Sequence, residues 1–503
     1  MVFAIEMKGI TKRFPGMIAN DNVNLAVEKG EIHSLLGENG AGKTTLMKIL
    51  FGFYKQDEGS LWINGQCVEN QTPGRAFAEG LGMVHQHFML IDNLTVWENV
   101  VLGSEVGTGV IDKRKNREKV KELSELYQFD LDIDEKVRDI SVGMKQRVEI
   151  LKTLYRGAEI IVLDEPTAVL TPTESEQLLA TMRKLQEQGK TIIFITHKLN
   201  ETMAVSNHIT VLRKGKSIAT FETKEVDEKQ LAAVMVGHQM DLSLEKVASK
   251  PGESMFSVQG IRLLPNAENT VSLNVRCGEI LGIAGVDGNG QQQLEEMIMG
   301  LMPCKEGQII YQGEDITKLG ARKRVSMGVG YIPSDRFKQA ILPSFSLADN
   351  YLLGNQYRKE YVQNGIIRQK DVDQMTLEAM KEFDVRAVSE KQPIGSLSGG
   401  NQQKLVLSRE VKKDPGFILA CQPVRGLDIG AIHFIHKVLL DLKKQGKAIL
   451  LISAELSDIF QLSDRIGVLY KGELMSLGKA EEYDNQRISL YMAGKRGEIK
   501  NDE

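Results

Sequence analysis

The stretch Gly37–Thr45 constrains the fold of this chain more than any other. It reads Gly-Glu-Asn-Gly-Ala-Gly-Lys-Thr-Thr and fits the phosphate-binding-loop pattern G-x-x-x-x-G-K-S/T in full. The apolar run Ile32–Leu36 before it reads as a buried strand, and Leu46–Phe51 after it has a helical pattern. In this context the glycines let successive backbone N–H groups point at phosphates, and the following helix adds its positive N-terminal end.

The residue types in this loop predict nucleotide binding. Lys43 would neutralise charge on the β- and γ-phosphates, and Thr44 would place its hydroxyl on Mg²⁺. The loop residues expected to contact the nucleotide are Gly37, Glu38, Asn39, Gly40, Ala41, Gly42, Lys43, Thr44 and Thr45.

Length, charge and cysteine content narrow the class of protein. At 503 residues the chain is long enough for about two to four domains, and its net charge of -4 argues against a nucleic-acid binder. The cysteines are scattered without paired or metal-ligand spacing, which favours a reducing cytosol. The apolar start is too short for a signal peptide, and the sequence has no apolar run long enough to cross a bilayer. We therefore expect no membrane insertion of the chain itself, and any membrane role to come through partner proteins.

The first half of the chain combines short alternating runs with an alternation of strand and helix patterns. The runs Phe3–Met7, Asn20–Val27 and Ser60–Ile63 predict a small antiparallel sheet. Strand-like and helical segments then alternate, which predicts a parallel sheet with helices on its faces. These later segments are Met83–His85, a charged helical region from about Asp112 to Tyr127, Ile160–Leu163 and Thr191–Ile195.

The second half repeats this order, which indicates a duplicated domain. The matching pairs are Cys277–Gly285 with Lys29–Gly37, Gly328–Pro333 with Gly80–His85, Phe417–Leu419 with Ile160–Val162, and Ala448–Ser453 with Thr191–Thr196. The polar stretch 237–254 contains Pro251 and Gly252 and reads as a linker. We predict an α/β chain with a first domain at 1–238, a linker at 239–254 and a second domain at 255–503.

Five side chains outside the loop are candidates for the chemistry of a phosphate site. A buried strand ends with Asp164, which suits the Mg²⁺ shell, and Glu165, which suits a base that polarises the attacking water. His197 follows the next strand and could contact the γ-phosphate or that water, although a lone histidine is usually structural. Gln86 could reach Mg²⁺ from a loop, but a loop glutamine is usually only solvated. Phe14 could stack on a base or, equally, pack in the core.

The stretch Leu397–Lys404 reads Leu-Ser-Gly-Gly-Asn-Gln-Gln-Lys and carries a family resemblance. The glycine pair is expected at the start of a helix. Together with the serine hydroxyl, this N-terminus would form a second anion-binding site. The stretch is similar to the L-S-G-G-Q signature of the ATP-binding-cassette (ABC) ATPases, with Asn401 in place of the glutamine. The resemblance covers nearly the whole chain and includes every motif in order.

The resemblance implies two ABC nucleotide-binding domains, each with a parallel-sheet core, an antiparallel β subdomain and a helical subdomain. Two cassettes in one chain without a membrane span look like the ATPase subunit of sugar and nucleoside importers, with ATP and Mg²⁺ as cofactors. Such a subunit is peripheral at the cytoplasmic face of the cell membrane, bound to two permeases that an extracellular solute-binding protein feeds. The helical regions near Asp92–Tyr127 and Ser344–Phe383 would pull on the permeases.

In this family two cassettes form a head-to-tail sandwich, so that each ATP lies between one phosphate loop and the signature of the other cassette. A first site would combine the loop of the first half with the second signature, and all its residues have the expected type. Beyond the loop residues 37–45 its nucleotide contacts would be Phe14, Gln86, Ser398, Gly399, Gly400 and Asp428, its catalytic residues Lys43, Glu165 and His197, and its metal ligands Thr44, Gln86 and Asp164.

The second site is degraded at each matching position, although the losses lie in both halves of the chain. The replacements are Gln291 for Lys43, Gln292 for Thr44, Cys421 for Asp164, Gln422 for Glu165, Ala454 for His197, Ser334 for Gln86, Val142 for a signature glycine and Thr171 for Asp428. Without the lysine, the metal ligands and the base, the interactions that dominate phosphoryl transfer are missing. We therefore expect hydrolysis at the first site alone, while Gly285–Gly290 could still hold nucleotide weakly.

The sequence also contains stretches that bear on which solute is imported. Three stretches look closest to nucleoside importers, namely His85–Leu90, Ser141–Arg147 and Ala420–Asp428. Relatives of the ribose and galactose type are the main alternative. A soluble tandem ABC protein that remodels ribosomes is a remote alternative, because such proteins have a long basic linker and two intact sites. A non-catalytic scaffold is disfavoured by the intact set Lys43, Asp164 and Glu165.

Overall fold

The structure, a computed structural model, describes residues 3–85, 88–105, 112–167, 170–236, 251–286, 288–492 and 494–495. The chain divides into two compact units, Met1–Asp241 and Leu242–Glu503. Most of the predicted linker and Gln86 lie outside the described residues, so the domain limits and the placement of Gln86 stay predictions. No helix within the described ranges has the length and apolarity needed to span a membrane.

The first unit combines an antiparallel sheet, a mostly parallel sheet and helices. Its strands are β1 (Phe3–Phe14), β2 (Met17–Glu28), β3 (Ile32–Gly37), β4 (Glu58–Ile63), β5 (Gln66–Cys67), β6 (Leu81–Val84), β7 (Ile160–Asp164), β8 (Thr191–Thr196), β9 (His208–Arg213) and β10 (Lys216–Glu222). Its helices are α1 (Lys43–Leu50), α2 (Pro73–Ala78), α3 (Val96–Val101), α4 (Lys113–Leu126), α5 (Val142–Tyr155), α6 (Pro172–Glu187), α7 (Leu199–Val205) and α8 (Glu228–Val236).

The order of strands in the first unit brings the carboxyl ends of β3, β7 and β8 together. The antiparallel sheet has the order β2-β1-β4-β5, and the larger sheet has the order β10-β9-β3-β8-β7-β6. β3 pairs in parallel with β8 and β9, and Leu36 lies opposite Thr196. β7 pairs in parallel with β8, and Asp164 lies opposite Ile195. Residues that follow these strands therefore meet at one edge of the sheet, as the alternation of strands and helices predicted.

The second unit contains the same kinds of element. Its strands are β11 (Ser254–Ile261), β12 (Val271–Arg276), β13 (Ile280–Ala284), β14 (Gln308–Tyr311), β15 (Glu314–Asp315), β16 (Val329–Ile332), β17 (Val362–Gln363), β18 (Ile366–Ile367), β19 (Phe417–Cys421), β20 (Ala448–Ser453), β21 (Arg465–Tyr470) and β22 (Glu473–Lys479). Its helices are α9 (Gln291–Met299), α10 (Ala321–Ser326), α11 (Arg336–Gln339), α12 (Leu347–Leu352), α13 (Gln369–Glu382), α14 (Gly399–Val411), α15 (Ile429–Lys444), α16 (Leu456–Leu462) and α17 (Asn485–Met492).

The two units have the same sheet topology, which confirms the predicted α/β fold and its duplication. The second unit has the sheet orders β12-β11-β14-β15 and β22-β21-β13-β20-β19-β16, which correspond strand by strand to those of the first. The predicted helical region near Ser344–Phe383 contains the helices α12 and α13. A two-stranded hairpin, β17 and β18, interrupts it around the turn at Asn364, whose φ is +50°, and Gly365.

Buried strands with apolar residues on both faces form the centre of each unit. In β7, Ile160 and Val162 pack into the core shared with α1 and the antiparallel sheet. Ile161 and Leu163 point to the opposite face and pack against α5 and α6. Since successive side chains of a strand alternate between faces, a continuous apolar run is what a sheet covered on both sides requires.

Glu31, His33 and His208 form a polar cluster beside β3, the strand that leads into the phosphate loop. Glu31 Oε1 lies 2.9 Å from His33 Nδ1, and Glu31 Oε2 lies 2.5 Å from His208 Nδ1. Burial raises the pKa of Glu31, but hydrogen bonds with both rings and with the Glu28 N–H outweigh burial and lower it. Burial lowers the pKa of His208, but its hydrogen bond to Glu31 and the charges of Glu31, Glu28 and Glu222 raise it above its ordinary value.

The second unit has a version of this cluster without histidine. Glu279 occupies the place of Glu31, and Arg465 Nη1 lies 3.2 Å from its Oε1. Leu281 faces Arg465 across β13 and β21 in the same register as His33 faces His208. An arginine stays protonated at all ordinary pH values, whereas a histidine titrates near neutrality. The equivalent pairs therefore differ in their response to pH.

The substitution His208→Arg should remove a pH dependence of stability from the first unit. Because folding raises the pKa of His208, its stabilisation is complete below the unfolded pKa of about 6.5 and is lost as pH rises through the folded value. Glu31 titrates below this window, since its pKa is lowered. A hydrogen bond between charged groups contributes about 1.5–3 kcal/mol, and each kcal/mol shifts the melting temperature of a unit this size by about 2–4 °C.

Differential scanning calorimetry between pH 6 and pH 9 would measure this effect. The wild-type melting temperature should fall relative to that of His208→Arg as pH rises. The matched variant Arg465→His should introduce a similar fall in the second unit. Parallel pH profiles of wild type and His208→Arg would contradict the prediction.

Candidate functional site

The phosphate loop leaves the end of β3 at Gly37 and enters α1 at Lys43. The helix begins three residues earlier than predicted, because Gly42 adopts a left-handed conformation with φ of +101° and serves as its N-cap. A Cβ on Gly42 would lie 2.5 Å from the Ala19 carbonyl oxygen, and one on Gly37 would lie 2.4 Å from that of Leu212. Both glycines are therefore required by close approach of neighbouring backbone, in addition to the turn that they permit.

Asn20 on β2 ties the antiparallel sheet to this loop. Its Nδ2 donates a hydrogen bond of 3.2 Å to the Gly42 carbonyl oxygen, and the residue is fully buried. Sequence reasoning missed Asn20, because an asparagine in a strand carries no motif. Its burial opposite the loop is visible only once the strands are placed in space.

Lys43 is buried and its Nζ lies against the loop itself. It donates to the carbonyl oxygens of Gly37 at 2.5 Å and Glu38 at 3.0 Å. Burial lowers the pKa of Lys43, and the nearby charges of Glu165, Asp164 and Glu38 oppose that shift. The structure thus brings the loop lysine and the two strand-end carboxylates into one electrostatic site.

The two carboxylates at the end of β7 differ in their environments. Burial and the neighbouring charge of Glu165 raise the pKa of Asp164 to about 6, against the opposing effect of Lys43 and Lys48. Glu165 has a positive φ of +46°, in the left-handed region that side chains rarely adopt, so the backbone turns sharply directly after Asp164. Such strain at a strand end is common at functional sites, where the surrounding structure holds a side chain in one direction.

His197 follows β8 and contacts the second of these carboxylates. Its Nδ1 lies 3.2 Å from Glu165 Oε1. This hydrogen bond is the largest influence on the pKa of Glu165 and lowers it despite burial. A carboxylate with a lowered pKa stays ionised at neutral pH, which is the state that a hydrogen-bond acceptor for water requires. The strand order brings Glu165 and His197 together although they lie on different strands.

Thr44 and Phe14 occupy positions at the rim of the site. Thr44 is exposed in the first turn of α1, with its neighbour Lys43 buried. Phe14 is half-buried at the end of β1 and makes an edge contact with Tyr54, with ring centroids 5.4 Å apart. Lys12 Nζ lies 5.8 Å from the centre of the Phe14 ring. This packing is compatible with either sequence interpretation of Phe14, a core contact or a platform for a base.

In the second unit, Gln291 takes the contact that Lys43 makes in the first. Its Nε2 donates to the Val286 carbonyl oxygen at 2.9 Å, the equivalent of the Glu38 carbonyl. Its Oε1 is buried without a hydrogen-bond partner among the described residues. A neutral amide therefore satisfies the loop carbonyl and supplies no positive charge for a phosphate.

The strand end of the second unit has the backbone conformation of the first, but its two carboxylates are replaced by neutral side chains. Gln422 has a φ of +45°, close to that of Glu165, and its Oε1 accepts a hydrogen bond of 3.3 Å from the Ala454 N–H. Cys421 is buried, and burial together with its hydrogen bond to the Glu295 carboxylate raises its thiol pKa. Glu295 Oε1 also accepts from Tyr331 at 2.7 Å. These groups satisfy one another, where the first unit has a lysine and two carboxylates.

Ser398, Gly399 and Gly400 form the N-terminus of α14, as the signature pattern predicted. Ser398 and Gly399 are accessible, and the Ser398 hydroxyl accepts a hydrogen bond of 3.0 Å from Asn401 Nδ2. Asp428 is the N-cap of α15, and its Oδ1 accepts from the Ala431 N–H at 2.7 Å. Contact of these residues with the first phosphate loop stays a prediction.

The donor set of the first unit fits a nucleotide phosphate and a hard divalent cation. The loop offers backbone N–H groups, and Lys43 offers the positive charge. Thr44 and Asp164 offer the oxygen ligands that Mg²⁺ prefers. Burial, together with the charge of Glu165, raises the pKa of Asp164, and a cation would favour its ionised form.

Comparison with known proteins agrees with this chemistry. The family description "ABC transporter" matches residues 20–168 and 269–425, one stretch in each unit. The guanosine import ATP-binding protein NupO of Bacillus subtilis is 45% identical over 98% of this chain and 98% of its own length. The nucleoside import ATP-binding protein NupA of Lactococcus lactis is 44% identical over 97% of this chain and 98% of its own length.

A sugar importer component is also similar. The glucose import ATP-binding protein of Haloferax volcanii is 40% identical over 97% of this chain and 96% of its own length. These full-length matches, the paired phosphate loops and the signature helices confirm the resemblance drawn from the sequence. The chain belongs to the ABC transporter family and is an ATPase with two ATP-binding cassettes in tandem.

Proposed function

We propose that this ATPase drives a nucleoside importer, with hydrolysis confined to the site of the first unit. The observation that carries the chemistry is the cluster of Lys43, Asp164, Glu165 and His197 at the carboxyl edge of one sheet. The second unit has Gln291 at the place of Lys43, and Cys421 and Gln422 at the places of Asp164 and Glu165. The second sequence half supplies the surviving signature, Ser398–Gly400.

The residues divide the work of hydrolysis among them. Lys43 and the loop N–H groups bind the β- and γ-phosphates. Thr44, Gln86 and Asp164 would hold Mg²⁺, which would neutralise phosphate charge. Glu165 accepts the proton of the attacking water, whose oxygen bonds to the γ-phosphorus as the bond to the β-phosphate oxygen breaks. His197 orients Glu165 through its hydrogen bond. ADP and inorganic phosphate leave.

The second signature completes this site if the two cassettes close head to tail. Ser398, Gly399 and Gly400 would then supply N–H groups and a hydroxyl to the γ-phosphate, with Asp428 beside them. Phe14 would stack on the adenine ring. Loss of function at the other composite site explains why the first signature has Val142 in place of a glycine while Gly399 and Gly400 are intact.

Nucleosides are the proposed solutes because two relatives whose names refer to nucleosides are 45% and 44% identical to this chain. The glucose relative, at 40%, keeps a sugar importer of ribose or galactose type as the second candidate. The cassettes themselves do not contact the solute. The assignment therefore depends on sequence similarity over the full chain.

The partners follow from the same similarity. We propose two membrane permeases as the direct partners, with an extracellular solute-binding protein acting on them. The chain would lie on the cytoplasmic face of the cell membrane as a peripheral subunit. A ribosome-remodelling role is disfavoured because the stretch 239–254 is not basic and the second loop lacks its lysine.

The substitution Glu165→Gln should abolish turnover while ATP binding is kept. Binding depends on the loop and the metal, whereas hydrolysis needs the carboxylate as base, worth about 10²–10⁴-fold in rate. Steady-state ATPase rates and equilibrium nucleotide binding of the purified protein would measure the two separately. Lys43→Ala is the comparison variant and should weaken both. A normal ATPase rate in Glu165→Gln would remove Glu165 from its role.

The two signatures should respond unequally to the same substitution. Ser398→Arg places bulk and charge where the γ-phosphate of the first site should dock, and it should stop hydrolysis. Ser141→Arg faces the degenerate site and should leave most of the activity. ATPase rates of both variants in the assembled transporter, with protein levels and assembly checked, decide the matter. Equal loss in both variants would refute the model of a single working site.

Deletion of the gene should abolish uptake of nucleosides and leave growth on ribose or galactose unaffected. The expected change is loss of radiolabelled nucleoside accumulation, restored by a plasmid copy of the wild type. Restoration by the Glu165→Gln variant should fail, since import depends on hydrolysis. Unchanged nucleoside uptake with loss of a pentose or hexose would reassign the importer to sugars.

A further inference from the structure

The first signature helix, α5, has a carboxylate at its N-terminus that comes from another helix. Glu174 of α6 accepts a hydrogen bond of 3.1 Å from the Gly143 N–H with its Oε1. The same oxygen lies 3.3 Å from the Ser141 hydroxyl, which donates to it. Gly143 leaves room for this contact, because a Cβ there would lie 2.5 Å from Glu174 Oε1. The serine hydroxyl and glycine N–H of a signature are the groups that bind a phosphate oxygen.

The capping of α6 does not account for this contact. Glu174 and Thr171 form a capping box, in which Glu174 Oε2 accepts from the Thr171 N–H at 3.0 Å and from its hydroxyl at 2.9 Å. One carboxylate oxygen is therefore sufficient for the cap. The other oxygen, Oε1, is directed at Ser141 and Gly143. The carboxylate thus bridges two helix N-termini.

The electrostatic surroundings of the second signature differ from those of the first. Ala431 stands three residues after the N-cap Asp428, the position that Glu174 occupies after Thr171. Asp428 Oδ2 lies 3.0 Å from where a Cβ of Gly400 would stand, but no hydrogen bond of the described residues joins a carboxylate to the N–H of Gly399 or Gly400. Arg336 Nη2 lies 2.7 Å from where a Cβ of Gly399 would stand.

We propose that Glu174 is an internal substitute for phosphate that prevents the first signature from binding nucleotide. A carboxylate held by its own fold competes with ATP at every concentration, and its negative charge repels the phosphate that would replace it. The second signature accepts ATP because an alanine replaces this carboxylate and Arg336 adds positive charge. The two signatures then differ in nucleotide binding because of Glu174, which lies outside the motif, as well as because of Val142. This inference rests on the proposed function.

Transfer of the carboxylate to the second unit tests the proposal. Ala431→Glu in the full chain, assembled with its permeases, should place a carboxylate on Ser398 and Gly400. We expect kcat/KM for ATP to fall by about tenfold or more, because like charges then oppose phosphate docking. The matched variant Ala431→Gln has the same size without the charge, and its kcat/KM for ATP should stay within about threefold of wild type.

The two Ala431 variants distinguish the effect of the added charge from that of the added size. A separate pair of variants tests the proposed function. Wild-type kcat/KM in a folded Ala431→Glu variant overturns the proposal, and so do equal losses in Ala431→Glu and Ala431→Gln. If Ala431→Glu does not fold, the double variant Glu174→Ala with Glu165→Gln tests the proposal by the amount of ATP that it retains. It should raise the number of ATP molecules retained per chain, and an unchanged number overturns the proposal. Equal ATPase rates in Ser398→Arg and Ser141→Arg would instead refute the proposed function.

Discussion

The electrostatic relation between Lys43 and the carboxylates that follow β7 is the interaction on which the site depends. A buried lysine is costly unless negative charge lies near it, and here Glu165 and Asp164 provide that charge. Burial and the neighbouring charge of Glu165 raise the pKa of Asp164. Lys43 would attract a phosphate to this site, and the two carboxylates would attract a divalent cation. His197 completes the arrangement by holding Glu165.

The duplicated unit serves as an internal control for these assignments. It has the same sheet order, the same loop glycines and a residue with positive φ directly after the equivalent strand. Gln291 and Cys421 nevertheless replace the charged residues Lys43 and Asp164. The fold is therefore independent of the chemistry that it carries in the first unit. The same backbone accommodates a neutral amide at Gln291 and a buried thiol at Cys421.

Charge also distinguishes the two signature helices. Glu174 lies on the first and Arg336 beside the second, although both helices have a serine as N-cap. A helix N-terminus binds whichever anion is held nearest to it. The motif alone therefore does not determine whether a signature is available to ATP, and its neighbours from other helices do.

Much of the fold and of the first site could be predicted from the sequence. The loop Gly37–Thr45, the strand ends at Asp164 and Glu165 and the duplication are local patterns, and a parallel sheet brings the ends of its strands to one edge. The hairpin within Ser344–Phe383 was not predicted, because strands of two residues carry too little pattern to outweigh the helical segments around them.

The sequence by itself determined which residue types were available, and the tertiary structure decided which of them meet. Asn20 reaches Gly42 only because two sheets pack together, and Glu174 reaches Gly143 only because two helix N-termini lie side by side. Neither contact follows from spacing along the chain. The Thr171-x-x-Glu174 pattern predicts a helix cap, but the direction of the second carboxylate oxygen depends on what the fold places next to it.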